Sequence, residues 1–422
     1  MVSVVIPVKN AQETLKETLD SIQRQTMQAF EVIVVDDGSI DTTPILLKDY
    51  QQKDPRISAF QTNGRGPAEA RNRGMRECKG KYLYFMDADD TISPYALEKM
   101  VAIAEKQCAQ IAIFGFFRTD GTKAQEFFYP DTQIFRKASL SQILPSLYQS
   151  HVLNPVWNKL WDREFLKGIH AQFPDVWYGE DRLFVFSCLR AAQRMVVSQE
   201  SFYEYHVQPR GSLVDRYIPG KYLICHRIDQ KIRALILENG EISPKDDAIL
   251  FQMFLKSILS CLSVACSSTS PLSFQDKYQE IKRILNSKEL KEQLRTKKAD
   301  HFLFRLVHGI LKSRLVLPNL WICLLYTSTK GLEGTPNEVK LKYLADNDFA
   351  NLSGEELKNA IREYIQEKDR KADDLTGNMV SQGTTPRRLT DLIGSLADLT
   401  SGSGDKGTPI ILIQGYFDNY TK

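Results

Sequence analysis

The sequence has almost no net charge, no clustered cysteines and no long uncharged apolar run. Lys and Arg total 55 against 52 for Asp and Glu, a formal net charge of +3 over 422 residues. So small an excess produces no strong positive field, and we expect no nucleic acid among the partners. None of the seven cysteines stands in a Cys-x-x-Cys pair. Their scatter argues against a zinc site or a disulfide framework and favours free thiols in a reducing compartment.

Signals that direct a chain to membranes are equally scarce. No stretch reaches the roughly 18 apolar residues without a charge that a membrane span needs. The start of the chain, residues 1–3, lacks the basic region and apolar core of a signal peptide. We therefore expect a cytoplasmic protein, with peripheral contact to the inner face of the cell membrane left open. The length predicts two or three domains.

Two acidic clusters each follow a short apolar run. Residues 36–39 (Asp-Asp-Gly-Ser) come after the run 31–35, and residues 87–90 (Asp-Ala-Asp-Asp) come after the run 81–86. An apolar run of this length that stops at a polar turn is typical of a buried parallel strand. Ligands of open α/β sheets lie beyond the carboxyl ends of such strands. Because carboxylates held close together are costly without a cation, the pattern predicts a site for a divalent metal and a phosphorylated ligand.

Strand and helix patterns alternate through the N-terminal part of the chain, which predicts a parallel sheet with right-handed crossovers. Asn10 is the predicted cap of the first helix, and Thr42 or Thr43 that of the second. The predicted strands span residues 2–8, 31–35, 57–61 and 82–86, and a third helix spans 67–77.

Four segments in this part resemble the family 2 glycosyltransferases: residues 4–10, 34–42, 66–74 and 87–90. Each is a weak signal alone, whereas four in the family's order are a strong one. The resemblance implies a GT-A fold, an α/β fold in which a Rossmann-like nucleotide-binding sheet is flanked by helices. It also implies inverting transfer of a sugar from a nucleotide donor, as in enzymes of bacterial cell-surface polysaccharide or teichoic-acid synthesis.

The resemblance assigns donor contacts to a set of residues. Asp37 matches the carboxylate that reads the nucleobase and ribose, since a short acid at a strand end accepts hydrogen bonds from a ring N–H or a hydroxyl. Arg71 is expected to reach the nucleotide as a charged donor. Two structural alternatives stand beside these roles: a turn and helix cap at residues 36–43, and a helix-surface arginine at position 71. The full donor-binding set is Pro7, Asp37, Arg71, Asp87, His206, Arg210 and Ser212.

Residues 87–90 match the family's D-x-D element. Carboxylate oxygens without a soft ligand nearby suit Mn²⁺ or Mg²⁺. By the resemblance, Asp89 is the main metal ligand, Asp87 faces the ribose or the metal, and Asp90 supports them. The alternative is a solvated acidic loop that caps the helix after Ser93.

An acceptor half is indicated by residues 154–161 and 179–184, where the family carries a general base in an E-D-x-x-F pattern. Inversion in a single displacement needs one carboxylate to take the proton of the acceptor hydroxyl. Asp181 is the predicted catalytic base, with Glu180 as its catalytic neighbour. The alternative is that they form an ordinary N-cap of the following helix.

A segment at 202–213 resembles the family's element that closes over the donor diphosphate. There His206 donates to phosphate or ligates the metal, and Arg210 pairs with the phosphate bidentately. A purely structural histidine is the alternative. Aromatic side chains that suit either sugar contacts or core packing are Trp157, Trp161 and Trp177.

Three segments are predicted: a GT-A catalytic domain at 1–218, a helical region at 219–322 and a polar appended segment at 323–422. A basic amphipathic stretch at 301–317 suits either an anionic bilayer, with a lipid-linked acceptor, or packing onto the catalytic domain. Residues 322–328 resemble the translation of a sequencing-library adaptor. One hypothesis is therefore a chimeric fusion of two coding fragments, and the alternative is a genuine oligomerisation or binding module.

Three classes of function follow. The first is metal-assisted glycosyl transfer from a nucleotide-diphosphate sugar, expected to be a UDP-sugar with a hexosyl or N-acetylhexosaminyl group, to a glycan, polymer or lipid-linked acceptor. The second is nucleotidyl transfer, disfavoured because the loop at 9–13 is not rich in glycine. The third is a catalytically silent carbohydrate-binding protein, disfavoured because the acidic positions are intact.

Overall fold

A computed structural model describes residues 1–176, 178–207, 217–238, 240–267, 270–297 and 311. All of them belong to the first of the two compact units into which the chain divides, Met1–Gly331. The predictions for Trp177, Arg210 and Ser212 lie outside the described residues. So do those for the segment 323–422 and for the basic stretch 301–317, apart from Leu311.

Ten strands in the described part of the chain form one mixed sheet with helices around it. The strands are β1 (Val2–Val8), β2 (Phe30–Asp36), β3 (Ile57–Gln61), β4 (Tyr82–Phe85), β5 (Thr91–Ile92), β6 (Ile111–Thr119), β7 (Ala124–Phe127), β8 (Gln133–Arg136), β9 (Lys159–Asp162) and β10 (Arg194–His206). They lie in the order β3-β2-β1-β4-β9-β6-β10-β5, with β7 beside β6 and β8 beside β10.

The N-terminal half of the sheet is parallel, as the apolar strand sequences predict. β1 pairs in parallel with β2 and with β4, and β2 pairs in parallel with β3. Val8 lies opposite Asp36 and Val5 opposite Phe85. β2 and β4 therefore end at the same edge, one on each side of β1. This arrangement brings the two acidic clusters to one edge of the sheet.

Beyond β4, outside the segment for which the sequence predicts a parallel sheet, the sheet becomes mixed. β9 runs antiparallel to both of its neighbours, β4 and β6, and β5 runs antiparallel to β10. Leu160, near the start of β9, lies opposite Tyr84, near the end of β4. The chain thus enters β9 at the carboxyl end of β4 and not through a crossover to its other end. As a result, Trp157 approaches the edge that carries the acidic residues.

The helices begin close to where the sequence predicts, with one exception at Asn10. They are α1 (Leu15–Gln23), α2 (Thr43–Lys53), α3 (Pro67–Glu77), α4 (Ala96–Gln107), α5 (Leu140–Gln149), α6 (Arg163–Gly168), α7 (Glu180–Ala191), α8 (Lys221–Leu237), α9 (Pro244–Cys266), α10 (Phe274–Asn286) and α11 (Lys288–Thr296). Thr42 is the N-cap of α2, as predicted. The N-cap of α1 is Thr14 and not Asn10. Asn10 instead has a φ of 51°, which asparagine tolerates better than most residues, and its Oδ1 accepts a hydrogen bond from Ile40 N (2.9 Å).

A glycine lets α3 lie close to the sheet. A Cβ atom at Gly74 would stand only 2.3 Å from Cγ1 of Val5 on β1. Any larger residue would push the helix away from the strand or displace the Val5 side chain. The close approach places Arg71, one turn earlier on α3, beneath the carboxyl edge of the parallel strands.

The helices α8 to α11 follow the sheet and build a second apolar cluster. α9 packs against α8 and α10, and its Phe251, Phe254 and Leu262 are buried in that cluster. Among the described helices, α9 is long and apolar enough to cross a membrane by length and composition. However, 67 % of its most apolar stretch is buried inside the protein. A helix in the core of a protein can have the same length and apolar composition.

Candidate active site

Asp37, at the end of β2, binds the loop that leads into α3. Its Oδ1 accepts hydrogen bonds from Thr62 Oγ1 (2.7 Å) and Arg65 N (3.0 Å), and its Oδ2 accepts one from Gly66 N (2.8 Å). Lys9 Nζ lies 3.8 Å from Oδ2. A carboxylate offers about four lone-pair positions, so three protein donors leave little capacity for a ligand. Reading of a nucleobase by Asp37 stays a prediction.

One predicted donor-side residue, Pro7, and the neighbouring Asp36 flank this position. Pro7 lies on β1 opposite Val35, next to the edge where the strands end. Asp36 forms the turn that the sequence allowed as an alternative, because its Oδ1 accepts hydrogen bonds from both N (3.0 Å) and Oγ (2.6 Å) of Ser39.

Arg71 joins the acidic loop at residues 87–90 to the acidic start of α7 through one buried ion pair on each side. Its Nη2 lies 3.0 Å from Asp87 Oδ1, and its Nη1 lies 3.0 Å from Glu180 Oε1. Only 6 % of Arg71 is exposed, so the alternative of a helix-surface arginine is wrong. Burial alone would lower the pKa of Arg71, but the charges of Asp87 and Glu180 raise it, and the guanidinium stays charged.

Asp90 fixes the acidic loop, residues 87–90, to β10. It is fully buried, its Oδ2 accepts a hydrogen bond from the hydroxyl of Tyr203 (2.5 Å), and its Oδ1 accepts one from His206 N (2.8 Å). The same Tyr203 hydroxyl accepts a hydrogen bond from Asp87 N (3.1 Å). Burial, together with Asp87 and Asp89, raises the pKa of Asp90 well above its ordinary value. The alternative of a solvated loop is therefore wrong for Asp90.

Asp87 and Asp89 remain as the accessible carboxylates of this loop. The described residues give Asp89 no salt bridge, whereas Asp87 pairs with Arg71. Burial and the neighbouring charge of Asp87 raise the pKa of Asp89 to about 6. Within the described residues no three His, Cys, Asp or Glu side chains are grouped to hold a metal ion. Mg²⁺ and Mn²⁺ commonly bind through one or two carboxylates together with substrate phosphates, and this pair of carboxylates fits that mode.

His206 lies beside the acidic loop at the end of β10. Its Nε2 is 3.0 Å from Thr91 Oγ1 and 3.9 Å from Glu204 Oε2. The side chain is about one-third exposed (31 %). Contact with a phosphate or a metal stays a prediction, and the position next to Asp90 agrees with it.

An aromatic stack borders the acidic loop, and the sequence analysis identified only its tryptophan. The ring of Trp157 stacks on Tyr203 (4.2 Å between centroids, 11° between planes) and on Tyr205 (5.8 Å, 5°). Tyr203 and Tyr205 are two apart on β10, which was the available signal, because alternate residues of a strand share a face. Trp161, by contrast, is fully buried against Phe184 and belongs to the core.

Glu180 and Asp181 lie in the first turn of α7 and are not its N-cap. The N-cap is Gly179, with a left-handed φ of 72°, so the cap alternative is wrong. Burial and the charge of Asp181 raise the pKa of Glu180, and Arg71 opposes that rise. Asp181 makes no salt bridge among the described residues, and its Oδ1 accepts a hydrogen bond from Arg182 N (2.7 Å).

A buried lysine that the sequence analysis did not assign holds the segment before β9. Lys159 is fully buried, and its Nζ donates to Val152 O (3.0 Å), to Pro155 O and to Asn158 Oδ1 (2.8 Å). Burial lowers the pKa of Lys159 well below its ordinary value. These bonds fix the short segment on which Trp157 stands.

Comparison with known proteins relates two parts of the chain to two enzyme families. Residues 3–160 match the family described as Glycosyl transferase family 2, and residues 330–415 match the family described as F420-0:Gamma-glutamyl ligase. Uncharacterized glycosyltransferase EpsJ of Bacillus subtilis (strain 168) is 26 % identical over 327 residues, 75 % of this chain and 93 % of that protein. Succinoglycan biosynthesis protein ExoO of Rhizobium meliloti (strain 1021) is 31 % identical over 216 residues, 49 % of this chain and 61 % of that protein.

A solved structure supports the fold. The crystal structure of S. aureus TarS 1-349 in complex with UDP-GlcNAc has a TM-score of 0.56 and 18 % identity, and it covers 78 % of this chain and 91 % of that chain. The mixed sheet with flanking helices is thus the GT-A fold, as the sequence predicts. The fold and the acidic site define a glycosyltransferase. More narrowly, residues 3–160 carry the match to the family 2 glycosyltransferases.

Proposed function

We propose that this enzyme transfers a sugar, with inversion, from a UDP-sugar to a hydroxyl group of a glycan, polymer or lipid-linked acceptor in bacterial surface-polysaccharide synthesis. The observation that carries the proposal is the buried Arg71, which connects Asp87 of the acidic loop to Glu180 of α7. The two motifs stand far apart in the sequence, yet they share one cation. A donor diphosphate at the loop and an acceptor hydroxyl at α7 would then meet at one centre.

The choice of donor follows from the relatives as well as from the site. The TarS structure is described as a complex with UDP-GlcNAc, and TarS of Staphylococcus aureus (strain Mu50 / ATCC 700699) is named as a poly(ribitol-phosphate) beta-N-acetylglucosaminyltransferase. These names support a nucleotide-diphosphate sugar with a hexosyl or N-acetylhexosaminyl group. Donor contacts would come from Pro7, Asp37 and His206, all at the carboxyl edge of the sheet.

Asp89 and Asp87 are the residues that would hold Mn²⁺ or Mg²⁺. When bound, such an ion supplies positive charge that stabilises the departing diphosphate. Asp89 suits this role because its carboxylate lies next to a second carboxylate and has no salt-bridge partner among the described residues. Asp90 and Tyr203 serve the site by fixing the loop, since both are buried and bonded to each other.

Asp181 is the general base in this proposal, and Glu180 is not. Arg71 already engages Glu180 through an ion pair of 3.0 Å, whereas Asp181 has no cation within salt-bridge distance among the described side chains. Asp181 would take the proton of the acceptor hydroxyl as its oxygen forms the new bond to the anomeric carbon and the nucleoside diphosphate leaves. The Arg71–Glu180 pair would orient the start of α7 and with it Asp181.

The test is incubation of the purified chain with a panel of nucleotide sugars and Mn²⁺, with and without candidate glycan acceptors. Glycosyl transfer releases a nucleoside diphosphate, nucleotidyl transfer releases pyrophosphate, and a silent binding protein releases neither. We expect nucleoside diphosphate that depends on the acceptor, and a product of opposite anomeric configuration by NMR. Pyrophosphate release, or donor binding without turnover, would contradict the proposal. We further propose that the enzyme works in the cytoplasm, on or near the inner face of the membrane.

A further inference from the structure

Two buried cysteines on neighbouring helices lie in direct contact. Cys225 on α8 and Cys261 on α9 have their Sγ atoms 3.8 Å apart. Only 4 % of Cys225 and 5 % of Cys261 are exposed. The contact joins positions that are 36 residues apart in sequence, so it arises from the packing of α8 on α9.

The surroundings of this pair differ from those of an inert buried thiol. Cys261 lines a small cleft, together with Lys221, Tyr222 and Glu280. A hydrogen bond with Cys261 lowers the pKa of Cys225 despite burial, and the positive charges of Arg182 and Lys221 add to the effect. A thiolate is the reactive form of cysteine, and nearby cations favour it. Cys188, by contrast, is equally buried on α7, and burial raises its pKa.

We propose that Cys225 and Cys261 are a modification site, a dithiol that small disulfides and related oxidants convert into an intramolecular disulfide. A thiolate of the pair attacks a disulfide RSSR, forming a mixed disulfide and releasing one RS⁻. The second cysteine then displaces the other RS⁻, so that one S–S bond forms between the helices. Two electrons pass to RSSR, and the two protein protons end on two molecules of RSH. Because both thiols are buried, the reagent reaches them from the small cleft beside Cys261 when the packing of α8 on α9 opens locally.

The new bond would join α8 to α9 next to the helix that carries the acidic acceptor motif. α8 packs against α7. Arg182 of α7 lies 3.3 Å, through its Nη2, from the hydroxyl of Tyr178, and Lys221 of α8 lies 4.5 Å from the centroid of the same ring. Oxidation therefore locks the helices that pack behind α7, and it does so without using any residue of the proposed donor or acceptor chemistry.

The experiment exposes the full-length reduced protein to bis(2-hydroxyethyl) disulfide and follows it by intact mass and tryptic mapping. Trypsin releases Cys225 in the peptide 222–227 and Cys261 in the peptide 257–277. We expect these two peptides to be linked, with the link reversed by dithiothreitol. Cys225→Ser removes the link, and Cys261→Ser traps a persistent mixed disulfide on Cys225, the cysteine whose pKa is lowered. Cys188→Ser is the matched control for a buried thiol and leaves the link intact.

Cys266 shares the second peptide, so a Cys266→Ser variant decides which cysteine is paired. Retention of the link in that variant supports the proposal, and its loss overturns it. The proposal also fails if the exposed Cys108 is fully modified while the peptides of Cys225 and Cys261 stay unlinked. Likewise, a stable mixed disulfide on Cys225 in the unmutated protein would show that Cys261 does not reach it. None of these readouts depends on glycosyl transfer.

Discussion

Replacement of Arg71 by methionine tests the central contact of the site. The side chain of Arg71 is 8 % exposed, and its partners are 14 % (Glu180) and 31 % (Asp87) exposed. Removal of one partner from a buried ion pair costs about 3–5 kcal/mol, because a charge is left unpaired in a low-dielectric environment. We expect a loss of that size in the free energy of unfolding, most of it from Glu180, the more buried partner.

Urea unfolding at pH 7.5 measures this loss, and two further variants assign it. Arg190→Met is the matched control, since Arg190 pairs with Glu238 at 2.8 Å but is 68 % exposed. An exposed pair contributes only about 0–1 kcal/mol. Glu180→Gln introduced into the Arg71→Met variant should restore more than half of the loss, because it removes the unpaired charge. A loss for Arg71→Met no larger than for Arg190→Met would refute the reasoning, and so would the absence of coupling between positions 71 and 180.

The pH dependence of the same variant has a definite sign. In the wild type, burial raises the pKa of Glu180 and Arg71 opposes the rise. Without Arg71 the folded-state pKa of Glu180 rises further above its unfolded value. The folded variant then binds more protons than the unfolded chain, and its stability falls as pH rises through the folded pKa. We therefore expect the deficit relative to wild type to be smaller at pH 5 than at pH 8.

Four further outcomes are expected. Asp89→Asn should keep the fold and lower transfer by roughly 10²-fold or more, the scale of a lost electrostatic contact, and excess EDTA should do the same to the wild type; full turnover in EDTA would contradict the metal. Because the pKa of Asp89 is raised to about 6, apparent affinity for Mn²⁺ in transfer assays should fall as pH drops through that value, and an unchanged affinity at pH 5 would count against Asp89. Asp181→Asn should lower transfer by about 10²–10⁴-fold with UDP affinity unchanged by calorimetry, and normal transfer would exclude it as base. A chain cut after Pro318 should unfold cooperatively and bind donor, and loss of either would show that the tail is integral.

The origin of the tail, residues 323–422, is a separate prediction about the gene. The match to the F420-0:Gamma-glutamyl ligase family starts at residue 330, just after the segment 322–328 that resembles a sequencing adaptor. This order supports the hypothesis of two joined coding fragments. Sequencing of the source DNA across codons 320–330 tests it, and a genomic copy without adaptor sequence would favour a genuine appended module.

Much of the fold could be predicted because the relevant signals are local. The continuous apolar sequence of β1 and the polar stops after β2 and β4 identify buried strands with a ligand edge. The bounds of α3 follow from Pro67 at its start, since proline suits the first turn of a helix. Asn10 misled for an equally local reason: asparagine favours both helix caps and left-handed turns, and only the contact with Ile40 selects the turn.

The parts that could not be predicted depend on contacts between distant segments. The antiparallel direction of β9 depends on where the preceding segment enters the sheet, and Lys159 fixes that segment through backbone carbonyls that carry no signature in the sequence. Tyr203 carries two hydrogen bonds of the acidic loop although it lies more than a hundred residues after that loop. A tyrosine in a strand predicts burial and not a partner.

Arg71 shows most clearly why a correct motif can still mislead about a role. The motif around it predicts a charged donor that faces the nucleotide, and its helix position predicts a solvent-exposed side chain. The close approach at Gly74 instead moves α3 towards β1, and this leaves the guanidinium between Asp87 and Glu180. A buried cation with two carboxylate partners cannot serve a third group without weakening one of those pairs. A metal ion that binds Asp87 would therefore compete directly with Arg71, and the ion pair to Glu180 would strengthen in response. Metal-dependent donor binding and the orientation of α7 would then be coupled by this competition, which no local pattern in the sequence encodes.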